Sequence, residues 1–160
     1  MATSLKNLSE FDAENLTDAT NLKIGLVVSE WNTNITENLY NGAKAALEEV
    51  GVKKSNIVRW SVPGSFELPA GCRRMLKSDN FDAIVAIGSV IRGETSHFDF
   101  VCSATAQGIM ELNVSQDVPV IFCVLTDDTL AQAEARSGGV HGNKGVEAAI
   151  AAIKMAGLGA

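Results

Sequence analysis

The chain has 160 residues, 46% of them hydrophobic and 20% charged, with a formal net charge of −6. That length supports a single domain whose core needs neither disulfides nor metal. An acidic balance, with no run of lysine or arginine interleaved with aromatics, excludes the positive footprint of a nucleic-acid binder.

Residues 1–21 form a polar, acidic tail carrying scattered Leu5, Leu8, Phe11 and Leu16. The tail fits neither a signal peptide nor a membrane span, so a cytoplasmic protein with no membrane partner is expected, its single domain running over 22–160. Cys72, Cys102 and Cys123 are odd in number, widely spaced and set in apolar or helical context, which reads as reduced core thiols rather than a disulfide framework or a metal site.

Residues 23–29 have the β-branched, apolar character of a buried strand, and 30–34 lead from it into a helix. Asn34 with Glu37 three residues on fits a capping box in its Asn form. Ile35, Leu39, Ala43, Ala46, Leu47 and Val50 then share one helical face, and Gly51 is placed as the C′ residue. A second strand over 57–62 runs into Pro63-Gly64, a tight turn, after which Pro69 suits the first turn of a helix. A third strand covers 83–87, and from Phe98 to Leu112 apolar residues recur at helical spacing. Residues 118–126 read as a fourth strand and 129–136 as a short helix. The glycine-rich link 137–142 then breaks the helical pattern, which resumes over 143–155.

Four alternations of strand and helix with short connections predict a four-stranded parallel sheet in a three-layer α/β/α sandwich of flavodoxin-like type. Functional groups are then expected at the C-terminal ends of the strands. The stretch 88–97 lies there and gathers two glycines, Arg92, three hydroxyls and His97, one of two histidines. Backbone N–H groups at a helix start, beside Thr95 and Ser96, suit a phosphate or carboxylate. An N-capped turn with a solvated histidine accounts for the same residues.

Trp31 is either a partly buried lid or a stacking surface for a planar ligand. Glu67 either accepts hydrogen bonds from ligand hydroxyls or merely favours the positive end of its own helix. Arg136 and Lys144 flank the glycine-rich link, where they either bind phosphate or satisfy helix-end carbonyls. His141 in that link reads as an exposed loop histidine. Neither G-x-x-x-x-G-K-[ST] nor G-x-G-x-x-G occurs, so nucleoside triphosphate and dinucleotide sites lack their phosphate loops.

Taken together these segments resemble one family from Lys23 onward, the 6,7-dimethyl-8-ribityllumazine synthases of riboflavin biosynthesis. The resemblance is carried by Trp31-Asn32, by the run Val62-Pro63-Gly64-Ser65-Phe66-Glu67-Leu68-Pro69, and by Gly88 to His97 with Phe98-Asp99-Phe100. Pro119-Val120-Ile121-Phe122 and Arg136 with Gly142-Asn143-Lys144-Gly145 complete it. It implies condensation of 5-amino-6-(D-ribitylamino)uracil with 3,4-dihydroxy-2-butanone 4-phosphate, with loss of phosphate and two waters and with no cofactor or metal.

By the resemblance, Trp31, where many members carry Phe, stacks on the pyrimidine from the turn that also holds Asn32. Gly64, Ser65, Phe66 and Glu67 hold the ribityl chain, and Ser89, Val90 and Ile91 line the pyrimidine pocket. Phosphate lies over Glu94 and Thr95, with Glu94 acting through its backbone because some members have a small residue there. Arg136 supplies the positive charge, Lys144 a polar contact, and Phe122 enters from an adjacent subunit. His97 is the implied acid/base, an imidazole being able both to take and to give protons near neutrality.

The partners implied are the small-molecule substrates, phosphate and further copies of the chain. The short link 137–141 points to a shell of sixty subunits, with a pentamer as the alternative, and the tail to an edge strand on a neighbour's sheet. Two other functions fit the same fold: a flavin-binding protein without turnover, and a shell-forming scaffold. The joint presence of His97, Arg136 and Lys144 weighs against the scaffold.

Overall fold

Strand β1 (Ile24–Ser29) is buried along its whole length. Side chains alternate across a strand with period two, so a continuous apolar run demands cover on both faces. In the computed structural model, which describes residues 18–158, that cover is two layers of helices. β1 is flanked by β2 (Ile57–Val62) on one side and β3 (Ala83–Ile91) on the other, with β4 (Val120–Asp127) outermost. The order is β2-β1-β3-β4 and every pairing is parallel.

The alternation sorts the core into two clusters. Leu26, Val28, Val85 and Ile87 face α1 (Thr33–Glu49) and α5 (Lys144–Ala156), whereas Val27, Ile84 and Ala86 face α2 (Leu68–Leu76) and α3 (His97–Ser115). The expected α/β/α sandwich is therefore the observed one. Ala19 is buried in the first cluster, with Leu22 packed against it. The expected edge-strand role of the tail falls mostly on residues outside the described range.

Helix α1 begins before the expected capping box. Asn32 is its N-cap, in the left-handed conformation (φ 57°, ψ 49°), and its carbonyl accepts from the N–H groups of Ile35 and Thr36. Asn34 thus lies inside the first turn, and the Glu37 carboxylate pairs with Arg59 of β2 instead, Arg59 Nη1 donating at 2.9 Å. A guanidinium fork on an adjacent strand offers charge-assisted bonds that a backbone N–H does not. At the other end Gly51 (φ 99°) closes the helix as expected. Its N–H donates to Glu48 O, and that of Val52 to Leu47 O, the pair of bonds that ends a helix through a left-handed residue.

The third strand runs four residues past the apolar core of its sequence, so Gly88 to Ile91 are strand rather than loop, paired to Val124, Leu125, Thr126 and Asp127. After β4 comes α4 (Leu130–Arg136), capped by the Thr129 hydroxyl, which accepts from Gln132 N. The glycine-rich link is a small antiparallel hairpin, β5 (Ser137–Gly139) with β6 (Gly142–Asn143), and exposed His141 sits at its tip. Asn143 caps α5 through Oδ1 to Gly145 N and donates Nδ2 to Asn38 O of α1. Gly145 then lets α5 cross α1 backbone to backbone, since a β-carbon there would sit 1.9 Å from Leu39 O.

Candidate active site

In a sheet of order 2-1-3-4 the connections leave β1 in opposite directions, which opens a crevice beyond the C-terminal ends of β1 and β3. The described residues have a cleft of about 790 Å³ there. It is lined by Trp31, Asn32, Gly64, Ser65, Phe66, Glu67, Ser89, Val90, Ile91 and His97, together with Phe100 and Val101. Ten residues singled out from three separate stretches of sequence meet in one place.

Two turns shape its wall. Glu30 N donates to Val62 O at 2.9 Å and Trp31 N to Pro63 O at 3.3 Å, so the turn after β1 is pinned to the turn after β2. Asn32 Nδ2 reaches across to Ser89 O at 2.9 Å. Gly64 permits this crowding, because a β-carbon on it would lie 3.1 Å from Glu67 Oε2 and 3.3 Å from Trp31 Cδ1. Trp31 is left 73% exposed and Phe66 59%, two largely uncovered aromatic side chains at the mouth of one cleft. The lid reading of Trp31 is excluded for the single chain by that exposure.

Below them the chemistry turns polar. The Ser65 and Ser89 hydroxyls are buried and have no hydrogen-bond partner, and Ser29 Oγ, close to Gly88, is in the same condition. Buried hydroxyls are ordinarily satisfied, so unpaired ones lining a cleft suit a ligand with polar groups of its own. Thr105 of α3, whose Oγ1 lies 3.1 Å from Ser65 O, holds the Ser65–Glu67 turn against the third layer.

His97 is the first residue of α3, exposed at the rim, its backbone N–H directed to Thr95 Oγ1 at 3.4 Å. Phe100 and Val101 follow it by three and four residues and so share its helical face. That periodicity was the available signal for both, yet they read from sequence only as part of an apolar helix. Glu94 and Thr95 are exposed on the loop before α3 and lie outside the lining of the cleft.

Arg92, assigned no role from sequence, anchors that loop. Its Nε donates to Asp128 Oδ1 at 2.7 Å, Nη2 lies 3.1 Å from Asp99 Oδ1, and its N–H donates to Asp127 O. The guanidinium also stacks 4.1 Å from the centroid of Phe98. Both carboxylates hold the Arg92 charge above its usual range, Asp128 more strongly than Asp99. Asp128 is 36 residues away in sequence, so no local pattern announces its pairing with Arg92.

Phe122, Arg136 and Lys144 come together in a different cleft of about 610 Å³, along β4 and under α4 and α5. Phe122 is in mid-strand, paired with Ala86, and not at a strand end. It is 42% exposed because β4 is an edge strand. The Lys144 ammonium donates to both Glu147 oxygens at 2.7 and 2.8 Å, so its charge is already paired. Arg136 directs Nη1 to Gln132 O at 3.0 Å and sets Nε 3.9 Å from Asp127 Oδ1. One chain therefore places these residues in two separate clefts.

The family model for 6,7-dimethyl-8-ribityllumazine synthase matches residues 21–159. The chain belongs to the 6,7-dimethyl-8-ribityllumazine synthase family. A relative so named from Christiangramia forsetii is 61% identical over 159 residues, spanning 99% of this chain and 95% of its own. Others from Flavobacterium johnsoniae and Parabacteroides distasonis are 60% and 54% identical over 98% and 97% of this chain, and 82% and 97% of their own length. Membership in this synthase family makes the chain an enzyme, a transferase. Among the described residues no helix is long and apolar enough to cross a membrane, and no group of three or more His, Cys, Asp or Glu side chains is placed to hold a metal ion.

Proposed function

We propose that the chain condenses 5-amino-6-(D-ribitylamino)uracil with 3,4-dihydroxy-2-butanone 4-phosphate, yielding 6,7-dimethyl-8-ribityllumazine, phosphate and two waters in the cytoplasm. The observation that carries this reading is the pairing, in the switch-point cleft, of two exposed aromatic side chains with buried, unsatisfied hydroxyls. A planar pyrimidine bearing a polyhydroxy chain matches both. Trp31 stacks on the ring, Val90 and Ile91 line its pocket, and Ser89 faces its polar edge. The Ser65–Glu67 turn takes the ribityl chain, with Glu67 accepting from a hydroxyl.

His97 moves the protons. Imine formation, phosphate elimination and ring closure each transfer one, and a histidine at the rim, on the face shared with Phe100 and Val101, is within the same cleft. Much of the acceleration comes from holding amine and ketone in register, which replaces a bimolecular encounter. Phosphate lies by the loop carrying Glu94 and Thr95, next to the start of α3, where a helix's backbone N–H groups favour an anion.

Arg136 reaches that phosphate, and Phe122 enters the pocket, from a neighbouring subunit. Their separation from the first cleft within one chain supports a site completed across an interface. Further support comes from the uncovered β4 edge and from exposed Phe100, Met110 and Val114 on α3, apolar surface that a second copy covers. The copies form pentamers that close into a shell. Mixing the two substrates with purified protein and following lumazine absorbance tests the reaction: acceleration over the spontaneous rate is expected, and no acceleration by the assembled protein rejects the reading.

A further inference from the structure

The phosphate half-site holds a carboxylate that the reaction as proposed does not use. Asp127, the last residue of β4, is only 7% exposed, and its Oδ2 is buried with no hydrogen-bond partner. Oδ1 lies 3.9 Å from Arg136 Nε, beyond hydrogen-bonding distance but within reach of electrostatic attraction. Arg136 Nη1 is committed to Gln132 O. Both Asp127 and Arg136 line the cleft along β4. A buried carboxylate oxygen without a hydrogen bond is a cost to the fold.

We propose that Asp127 is a charge-balancing residue of the phosphate half-site: it faces the Nε edge of Arg136 and offsets part of its charge, so that phosphate is bound loosely enough to leave. The inference rests on the reading of Arg136 as the phosphate ligand. An anion arriving at Arg136 must share the guanidinium with a carboxylate already present, and the like charges repel. The substrate's phosphate ester gains less from Arg136 than it otherwise would, and so does the phosphate released by elimination. A site that must bind one and discharge the other gains turnover from that balance.

The surroundings determine how the balance responds to pH. Burial pushes the Asp127 carboxyl above its usual range, Arg136 pulls it down and Asp128 pushes it up. Asp128 is itself paired with Arg92, Lys144 of α5 is paired with Glu147, and Ile91 is the β3 residue in register with Asp127. Protonating Asp127 therefore frees Arg136, and phosphate affinity should rise as the carboxyl titrates.

Binding of inorganic phosphate to the assembled wild type, Asp127→Asn and Arg136→Ala, measured by calorimetry at pH 7, tests the proposal. Asp127→Asn keeps the shape and an acceptor oxygen but removes the charge. It should bind phosphate about tenfold more tightly, an effect of the size one neighbouring charge produces. The KM for the ketone phosphate should fall with it, and the KM for the pyrimidine amine should not change. As pH falls from 7 toward the usual carboxyl range near 4, the gap between wild type and Asp127→Asn should close.

Phosphate binding unchanged or weaker in Asp127→Asn, while Arg136→Ala abolishes it, overturns the role of Asp127 and leaves Arg136 as the phosphate ligand. Binding unaffected by Arg136→Ala overturns both. A gap constant with pH overturns the charge argument. Asp127→Ser, smaller and equally uncharged, should behave as Asp127→Asn does and serves if the amide fails to assemble.

Discussion

Asn32 and Ser89 are 57 residues apart in sequence, yet Asn32 Nδ2 donates to the Ser89 carbonyl at 2.9 Å and joins the turn after β1 to the far end of β3. The bond requires Asn32 in the left-handed region, which Asn tolerates better than other residues with a β-carbon. Asn32→Ala removes the bond and leaves a strained backbone, and should destabilise the fold by about 1–3 kcal/mol. Asn32→Gly removes the bond without the strain and should be the more stable of the two. Denaturant midpoints at fixed protein concentration rank them, and Ala equal to or better than Gly refutes strain at this position.

His97→Ala should lower turnover by roughly one to two orders of magnitude, the loss expected when a positioned acid/base is removed. Binding of the pyrimidine should persist, because Trp31, the Ser65–Glu67 turn and Ser89 remain. Steady-state kinetics of the correctly assembled variant gives the answer, and unchanged turnover removes His97 from the mechanism.

The exposed indole of Trp31 offers a stacking face to any planar heterocycle with a polyhydroxy chain. Riboflavin should bind, with quenching of both flavin and tryptophan emission. Titrating wild type and Trp31→Ala in parallel checks it. The same signal from both shows that the flavin is not stacked on Trp31.

Burial pushes the thiols of Cys72 and Cys123 up to about 12, against about 8.5 for a free thiol. The folded state thus binds more protons than the unfolded state above that lower value, and stability should fall as pH rises from about 8.5 toward 12. Below pH 8.5 this contribution is fully present. A Cys72→Ala, Cys123→Ala double variant should lose stability less steeply over that range in denaturant titrations. Identical slopes would show that other groups govern the alkaline limb.

The hairpin between α4 and α5 places only Val140 and His141 between its two short strands, with Val140 at 89% exposure. Nothing inserted there props α5 away from a neighbouring assembly, so shells of sixty subunits are expected. Mass measurement at low micromolar concentration should find them. A uniform five-subunit species across pH and phosphate conditions refutes the shell and leaves the active-site assignment standing.

The layers of this fold are legible in the chain because each strand carries its own instruction. A run such as Ile24 to Val28 must be covered on both sides, and the helical periodicity of Ile35, Leu39, Ala43 and Leu47 supplies one cover. Local chemistry was equally readable where it closes within a few residues, as at Gly51. The Asn34–Glu37 box failed because Arg59, on another strand, competed for the same carboxylate. Phe100 and Val101 were visible in spacing but not in meaning, since a helical face acquires a partner only when β1 and β3 end beside it.

Arg92 with Asp99 and Asp128, and Asp127 beside Arg136, depend on which strand ends become neighbours. Sequence determined which residues must be buried, which turns must bend and which residue types could do chemistry. Tertiary structure alone decided that Trp31 and His97 share one cleft while Phe122 and Arg136 share another. Strand order sets those distances, and they are the sum of every packed layer between, a quantity no local pattern contains.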